Sequence, residues 1–125
     1  MYRDGRKDAM DSTVRCSASA LLDTWSSHDW NEGIQLETIQ DMETLTVRTE
    51  NSTYEVNVIS GRTGEILIRG GRFFPEFTPA RLAGSSLGGS FLKLRGIYVG
   101  FSLEIHFGKR LIITSRVRKI AVPVR

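Results

Sequence analysis

The feature that most constrains the fold is a period of two in the apolar residues of the second half of the chain. Tyr54, Val56 and Val58 alternate with polar residues. The same two-residue spacing separates Ile66 from Ile68, Leu111 from Ile113, and the apolar residues at positions 101, 103, 105 and 107. This period places one face of each segment in a core and the other in water, which is typical of half-buried β-strands. The pattern therefore predicts a mainly β protein, a small antiparallel barrel or sandwich.

Turn residues divide this region into about six to eight strands. Residues 50–52 are expected to close a hairpin, and Gly108-Lys109 a tight turn. Pro75 and Pro79 exclude a central strand across residues 73–79, and the small residues at 84–90 indicate a flexible stretch. The alternation predicts a core that contains Tyr54, Val56, Val58, Ile66, Ile68, Leu103, Ile105 and Ile113.

The first part of the chain has a different pattern. Residues 1–10 are polar and predict a flexible N-terminal arm. Apolar residues then recur at helical spacing and predict one N-terminal α-helix over residues 12–26; they are Val14, Ala18, Leu21, Leu22 and Trp25. With 125 residues in all, residues 11–125 are expected to form a single domain. Its size is similar to that of SH3-like and OB-like barrels, but no motif indicates a named family.

Composition favours a soluble intracellular protein. Hydrophobic residues make up 40% and charged residues 25% of the chain, and no apolar run is long enough for a transmembrane helix. Residues 1–10 do not resemble a secretory signal. Cys16 is the single cysteine, so no internal disulfide can form. We therefore expect a cytoplasmic location without membrane association.

Charge is distributed unevenly along the chain. Residues 1–60 hold five Lys/Arg against eleven Asp/Glu, a net charge of −6, whereas residues 61–125 hold twelve against three, a net charge of +9. One interpretation is that the two halves lie against each other and partly cancel. The other is that the basic half presents a surface to a partner.

The densest basic cluster comprises Lys109, Arg110, Arg116, Arg118 and Lys119. Such a cluster is a candidate binding surface for phosphate groups or for an acidic protein. An edge strand that is protected from aggregation by its charges would have the same sequence.

Two further groups of residues could bind anions or nucleic acid. Phe73, Phe74 and Phe77 lie near Arg72 and Arg81, a mixture of aromatic and basic residues that single-stranded nucleic-acid binders use. The alternative is that the rings plug the end of a barrel. Lys93 and Arg95 follow a glycine- and serine-rich stretch that could cradle an anion weakly.

No convincing catalytic or metal-binding set is present. Residues 84–88 match G-x-S-x-G, but a strand rather than a helix is expected after Ser86, and no acid–base partner is evident. His28, His106 and Cys16 do not form a structural zinc set. We therefore expect neither enzymatic activity nor a cofactor.

The function predicted from the sequence is that of a non-catalytic interaction module. Its partner is expected to be another protein or a second copy of the chain; the alternative is nucleic acid, bound by the basic half. The candidate binding residues are Arg72, Phe74, Arg81, Lys93, Arg95, Lys109, Arg110, Arg116, Arg118 and Lys119.

Overall fold

The computed structural model describes residues 32–87 and 90–122. This part of the chain forms nine β-strands and one short 3-10 turn, Leu36–Thr38. The strands are β1 (Gly33–Gln35), β2 (Thr44–Thr49), β3 (Thr53–Ser60), β4 (Glu65–Gly70), β5 (Phe74–Leu87), β6 (Ser90–Leu94), β7 (Gly96–Tyr98), β8 (Ser102–Phe107) and β9 (Arg110–Ala121).

Six of these strands close an antiparallel barrel. Its order is β2, β3, β4, β5, β8 and β9, and β9 pairs with β2 to complete the circle. The predicted mainly β fold is confirmed, and closure decides for a barrel over an open sandwich. The predicted N-terminal arm and helix lie outside the described residues.

The core forms where the period of two is clearest. In β2, β3 and β4 buried aliphatic residues alternate with exposed or half-buried ones, and the register opposes Val56 to both Leu45 and Ile68. Seven of the predicted core residues are buried: Tyr54, Val56, Val58, Ile66, Ile68, Leu103 and Ile105. The prediction for Ile113 is wrong, because its neighbour Ile112 points into the barrel and Ile113 points out.

Strand β5 agrees with one prediction and corrects another: as Pro75 and Pro79 indicated, residues 74–80 are not a central strand, whereas residues 84–87 are not a flexible stretch. The segment with Pro75 and Pro79 is a strand, but residues 74–80 pair only with β4, and the opposite side carries no described strand. Leu82 donates its N–H to Gly64 on the β4 side, so by alternation the nitrogen of Pro79 lies on the open side, where a strand needs no donor. Residues 84–87, predicted to be flexible, are strand: all four pair with β6, and residues 84–86 also pair with β8.

The two-stranded sheet of β1 and β7 packs beside the barrel. Ser85 connects it to β5: its buried hydroxyl donates to the carbonyl of Gly96 (2.8 Å) and accepts from the N–H of Tyr98 (3.1 Å). The small residues of the second half of β5 are therefore buried structural elements.

Candidate functional site

The predicted basic cluster on β9 divides into two separate groups. Lys109 and Arg110 lie at the hairpin turn that connects β8 to β9, whereas Arg118 and Lys119 lie near the other end of β9. Arg116 lies between the two groups, opposite Ser102 of β8. At about 3.3 Å per residue, Arg110 and Lys119 are roughly 30 Å apart. The two groups therefore cannot contact one small ligand together.

A β-bulge creates the second group. Arg48 of β2 lies opposite Lys119, but the next residue, Thr49, lies opposite Val117, so β9 contains one extra residue here. Val117 is buried and Ile120 packs against the core, whereas both intervening residues are exposed. In a regular strand, two consecutive side chains would point to opposite faces. The bulge brings Arg118 and Lys119 to the outer face together.

These cations line an open groove of about 700 Å³, which we call the basic groove; it is formed by Arg48, Thr49, Glu50, Asn51, Arg118 and Lys119. Arg48 was not among the sequence-predicted binding residues. The signal for it was weak, since it is the single basic residue between positions 16 and 61. Only the strand pairing places it beside Lys119.

Glu50 is the carboxylate of the basic groove. It accepts hydrogen bonds from the guanidinium of Arg118 and from the backbone N–H of Arg116, both at 3.3 Å. Its own backbone N–H donates to the carbonyl of Arg116 at 3.0 Å. The carboxylate is therefore held against β9 and balances one cation of the groove, Arg118.

At the other end of β9, residues 110–113 pair with β8 on one side. Among the described residues, no strand pairs with the other side of residues 110–114. A depression of about 520 Å³ runs along this open side, and we call it the edge groove. Asn51 and Ser52 line one wall, and Arg72 and Phe73 line the other.

Apolar side chains are exposed around the edge groove. Leu111 is 50% exposed, Ile113 is 46% exposed, and Phe73 is 41% exposed. The guanidinium carbon of Arg110 lies 5.3 Å from the centre of the Phe73 ring, a cation–π contact. Two of the sequence-predicted residues, Arg72 and Arg110, therefore lie beside the edge groove, near exposed apolar side chains.

Other sequence-predicted residues lie apart from both grooves. Phe74 is fully buried, and its ring packs edge-on against Phe107 at 5.5 Å, so it plugs the barrel and offers no surface for stacking. Arg81 is exposed between Glu65 and His106. Lys93 lies on β6 opposite Ser85. Arg95 follows that strand, with its Nε 3.9 Å from Glu37 Oε1. Arg116 lines neither groove.

The serine of the G-x-S-x-G match, Ser86, lies inside the barrel wall. Ser86 is fully buried and lies opposite Ser102, four residues along β8 from His106. In the described part of the chain, no three His, Cys, Asp or Glu residues are grouped to hold a metal ion. Nor does any helix of that part have the length and apolar character needed to cross a membrane.

No protein-family model matches the chain, and no curated protein sequence and no solved structure is significantly similar to it. The fold defines the class, a six-stranded antiparallel barrel. Because one barrel fold supports many functions, function has to be argued from the two grooves.

Proposed function

We propose that the chain is a non-catalytic interaction module that binds an extended segment of another protein in the edge groove. The observation that carries the proposal is the open side of β9 at residues 110–114, together with the exposed Leu111 and Ile113. Exposed strand edges with apolar side chains are templates for the addition of a further strand.

The direction of the backbone groups supports strand addition. Phe107 and Arg110 pair across a two-residue turn whose first residue, Gly108, has a φ of +60°. In such a hairpin the closing pair exchanges hydrogen bonds, so the N–H and C=O groups of Arg110 and Ile112 point to β8. Those of Leu111 and Ile113 then point to the open side, where a partner strand can accept and donate.

The two open sides of the barrel differ in protection. Along residues 74–80 of β5, Pro75 and Pro79 lack the N–H groups that a pairing strand would require. Residues 110–114 of β9 contain no proline, and their exposed side chains include two large aliphatics. Natural proteins protect edges that must stay unpaired, so this contrast supports a binding role for the β9 edge.

The walls of the edge groove favour one extended segment over a second barrel. Asn51 and Ser52 on one side and Arg72 and Phe73 on the other leave a channel along the strand rather than a flat face. Arg72 and Arg110 lie beside this channel and favour carboxylates. The expected partner segment therefore alternates apolar residues and carries Asp or Glu near its ends.

A peptide library displayed on phage and selected against the immobilised full-length chain tests the proposal. We expect enrichment of alternating apolar sequences with flanking acidic residues. Ile113→Pro should abolish their binding, because it removes an N–H on the open side and leaves the hydrogen bonds to β8 intact. Ile113→Asp, which keeps the backbone donor, should weaken binding through the lost apolar contact.

The matched control is Leu94→Asp, which introduces the same charge at another exposed aliphatic residue, on β6. If Leu94→Asp lost the binding of the selected peptides while both Ile113 variants kept it, the edge groove would be rejected as the binding site. Sedimentation velocity of the wild-type chain should show a monomer. Self-association that Ile113→Pro removes would assign the edge to a second copy instead of a different protein.

Nucleic-acid binding is the second candidate function, and the cations of the basic groove favour it. No aromatic side chain lines that groove among the described residues. Recognition there would therefore depend on phosphates rather than on base stacking. A steep fall in the affinity for a mixed oligonucleotide between 50 and about 200 mM salt would support it.

A further inference from the structure

We propose that the basic groove is a binding site for a chain of phosphate groups, as in a triphosphate or a polyphosphate. The β-bulge at Arg118–Lys119 is the first observation, because it turns two consecutive cations to the same side as Arg48. A bulge commonly redirects a side chain at a functional position. Here it raises the density of positive charge at the cost of regular pairing.

The pairing of Arg48 with Lys119 is the second observation. Like charges directly opposite each other in an antiparallel pair destabilise the sheet. Among the described residues, neither Arg48 nor Lys119 forms an ion pair, because the carboxylate of the groove, Glu50, binds Arg118. Arrangements that destabilise a fold locally are expected at functional sites, where a ligand compensates for them. A bound anion would remove the repulsion between Arg48 and Lys119.

The wall of the groove is held in place before any ligand binds. The hydroxyl of Thr49 donates to the carbonyl of Ser52 and accepts from the N–H of Ser52, both at 3.1 Å. Ser115 donates to the same hydroxyl at 2.7 Å and accepts from the N–H of Asn51 at 3.0 Å. This network fixes the loop between β2 and β3 against β9, so little ordering is needed on binding.

The shape and lining of the groove indicate the ligand class. A volume of about 700 Å³ exceeds what one phosphate needs, and the lining is polar, with no aromatic residue among the described ones. Arg48 and Lys119 on neighbouring strands can contact successive phosphates, with Arg118 beside them. The expected ligand is therefore a chain of consecutive phosphate groups. Either an inorganic polyphosphate or a nucleotide can supply it.

Isothermal titration of the full-length chain with sodium tripolyphosphate, at low salt and without divalent metals, tests the site. The double variant Arg48→Gln/Lys119→Gln should lose affinity by roughly tenfold or more. The matched control, Arg81→Gln/Lys93→Gln, removes the same charge at positions apart from both grooves and should change affinity by less than about twofold. Equal losses in the two variants would show attraction by net charge alone and overturn the proposal, as would absence of binding to the wild type.

Thermal unfolding gives a second readout that does not depend on titration. Without ligand, Lys119→Gln should raise the Tm because it removes the like-charge pair, and tripolyphosphate should raise the Tm of the wild type by more than that of the variant. A lower Tm for the ligand-free variant would mean that Lys119 is a structural contact and would contradict the proposal. Adenosine triphosphate and inorganic tripolyphosphate, compared at equal concentration, distinguish a nucleotide source from an inorganic one.

Discussion

At the scale of the residue, the orientation of β9 decides which of its side chains face the core. Leu111, Ile112 and Ile113 are all aliphatic, so the sequence contains no period of two at this point. The turn at Gly108-Lys109 and the pairing of Ile112 with the buried Ile105 decide the orientation. A sequence pattern cannot supply this information, because a shift of one residue exchanges the two faces of a strand.

Adjacent substitutions test this orientation. Ile112→Ala should lower the free energy of unfolding by about 2–5 kcal/mol, because the side chain is almost fully buried in the core. Ile113→Ala should change it by less than about 0.5 kcal/mol, as is usual for surface residues. Urea denaturation measures both, with Leu103→Ala as a reference for a large loss. The reverse ranking of the two isoleucines would mean that the assigned faces are exchanged.

A buried phenol predicts a loss of stability in alkaline solution. Burial, with a smaller contribution from Glu37, raises the pKa of Tyr98 above its ordinary value of 10.0. The unfolded chain therefore releases this proton first, so Tyr98 stabilises the fold below about pH 10 and loses that contribution as the pH rises further. As the pH rises above about 10, the free energy of unfolding of the wild type should therefore fall relative to that of Tyr98→Phe. A constant difference would contradict the assignment.

At the scale of the element, most strand boundaries followed from turn chemistry. The hairpin of β2 and β3 and the turn at Gly108 lie where the sequence predicted them. The bulge in β9 was missed, although Val117 and Ile120 are three apart and break the period of two. The prolines of β5 correctly excluded a central strand over residues 74–80, which pair on one side only, but the length of β5 was missed because residues 84–87 were predicted to be flexible.

Glycine in β5 is required by close packing. Gly84 has a φ of +150°, and a side-chain carbon there would lie 2.0 Å from the carbonyl oxygen of Lys93 on β6. Gly84→Ala should therefore destabilise the fold by at least about 2 kcal/mol, through strain and through separation of β5 from β6. Gly108→Ala is the control, because its φ is +60° but no atom lies within 4 Å; it should cost about 1 kcal/mol. Urea denaturation of the two variants provides the comparison, and equal losses would contradict the role of packing.

At the scale of the whole molecule, the barrel brings the acidic and basic parts of the chain together. The ion pairs among the described residues are Glu55–Arg69, Glu37–Arg95 and Glu50–Arg118. Each joins an acid from residues 32–60 to a base from residues 61–122. These ion pairs support the interpretation that the charges of the acidic and basic halves partly cancel. Arg48 and Lys119 take no part in these pairs.

This arrangement makes Glu50 a competitor of any anion in the basic groove. Glu50→Gln removes the carboxylate that holds Arg118, so a third cation becomes available and a nearby negative charge is lost. Exposed ion pairs are worth up to about 1 kcal/mol, so the affinity for tripolyphosphate should increase by roughly two- to fivefold. Isothermal titration in about 0.1 M salt measures the change.

The matched variant for this prediction is Glu37→Gln. It releases Arg95 from an ion pair beside Gly61, at the opposite end of β3 from Thr53, the residue that pairs with Arg48, and it raises the net charge by the same amount. Its affinity for tripolyphosphate should stay close to that of the wild type, since screening at about 10 Å in 0.1 M salt limits the reach of one added charge. An equal increase in both variants would show that net charge, rather than the arrangement of Arg48, Arg118 and Lys119, governs the binding of anions.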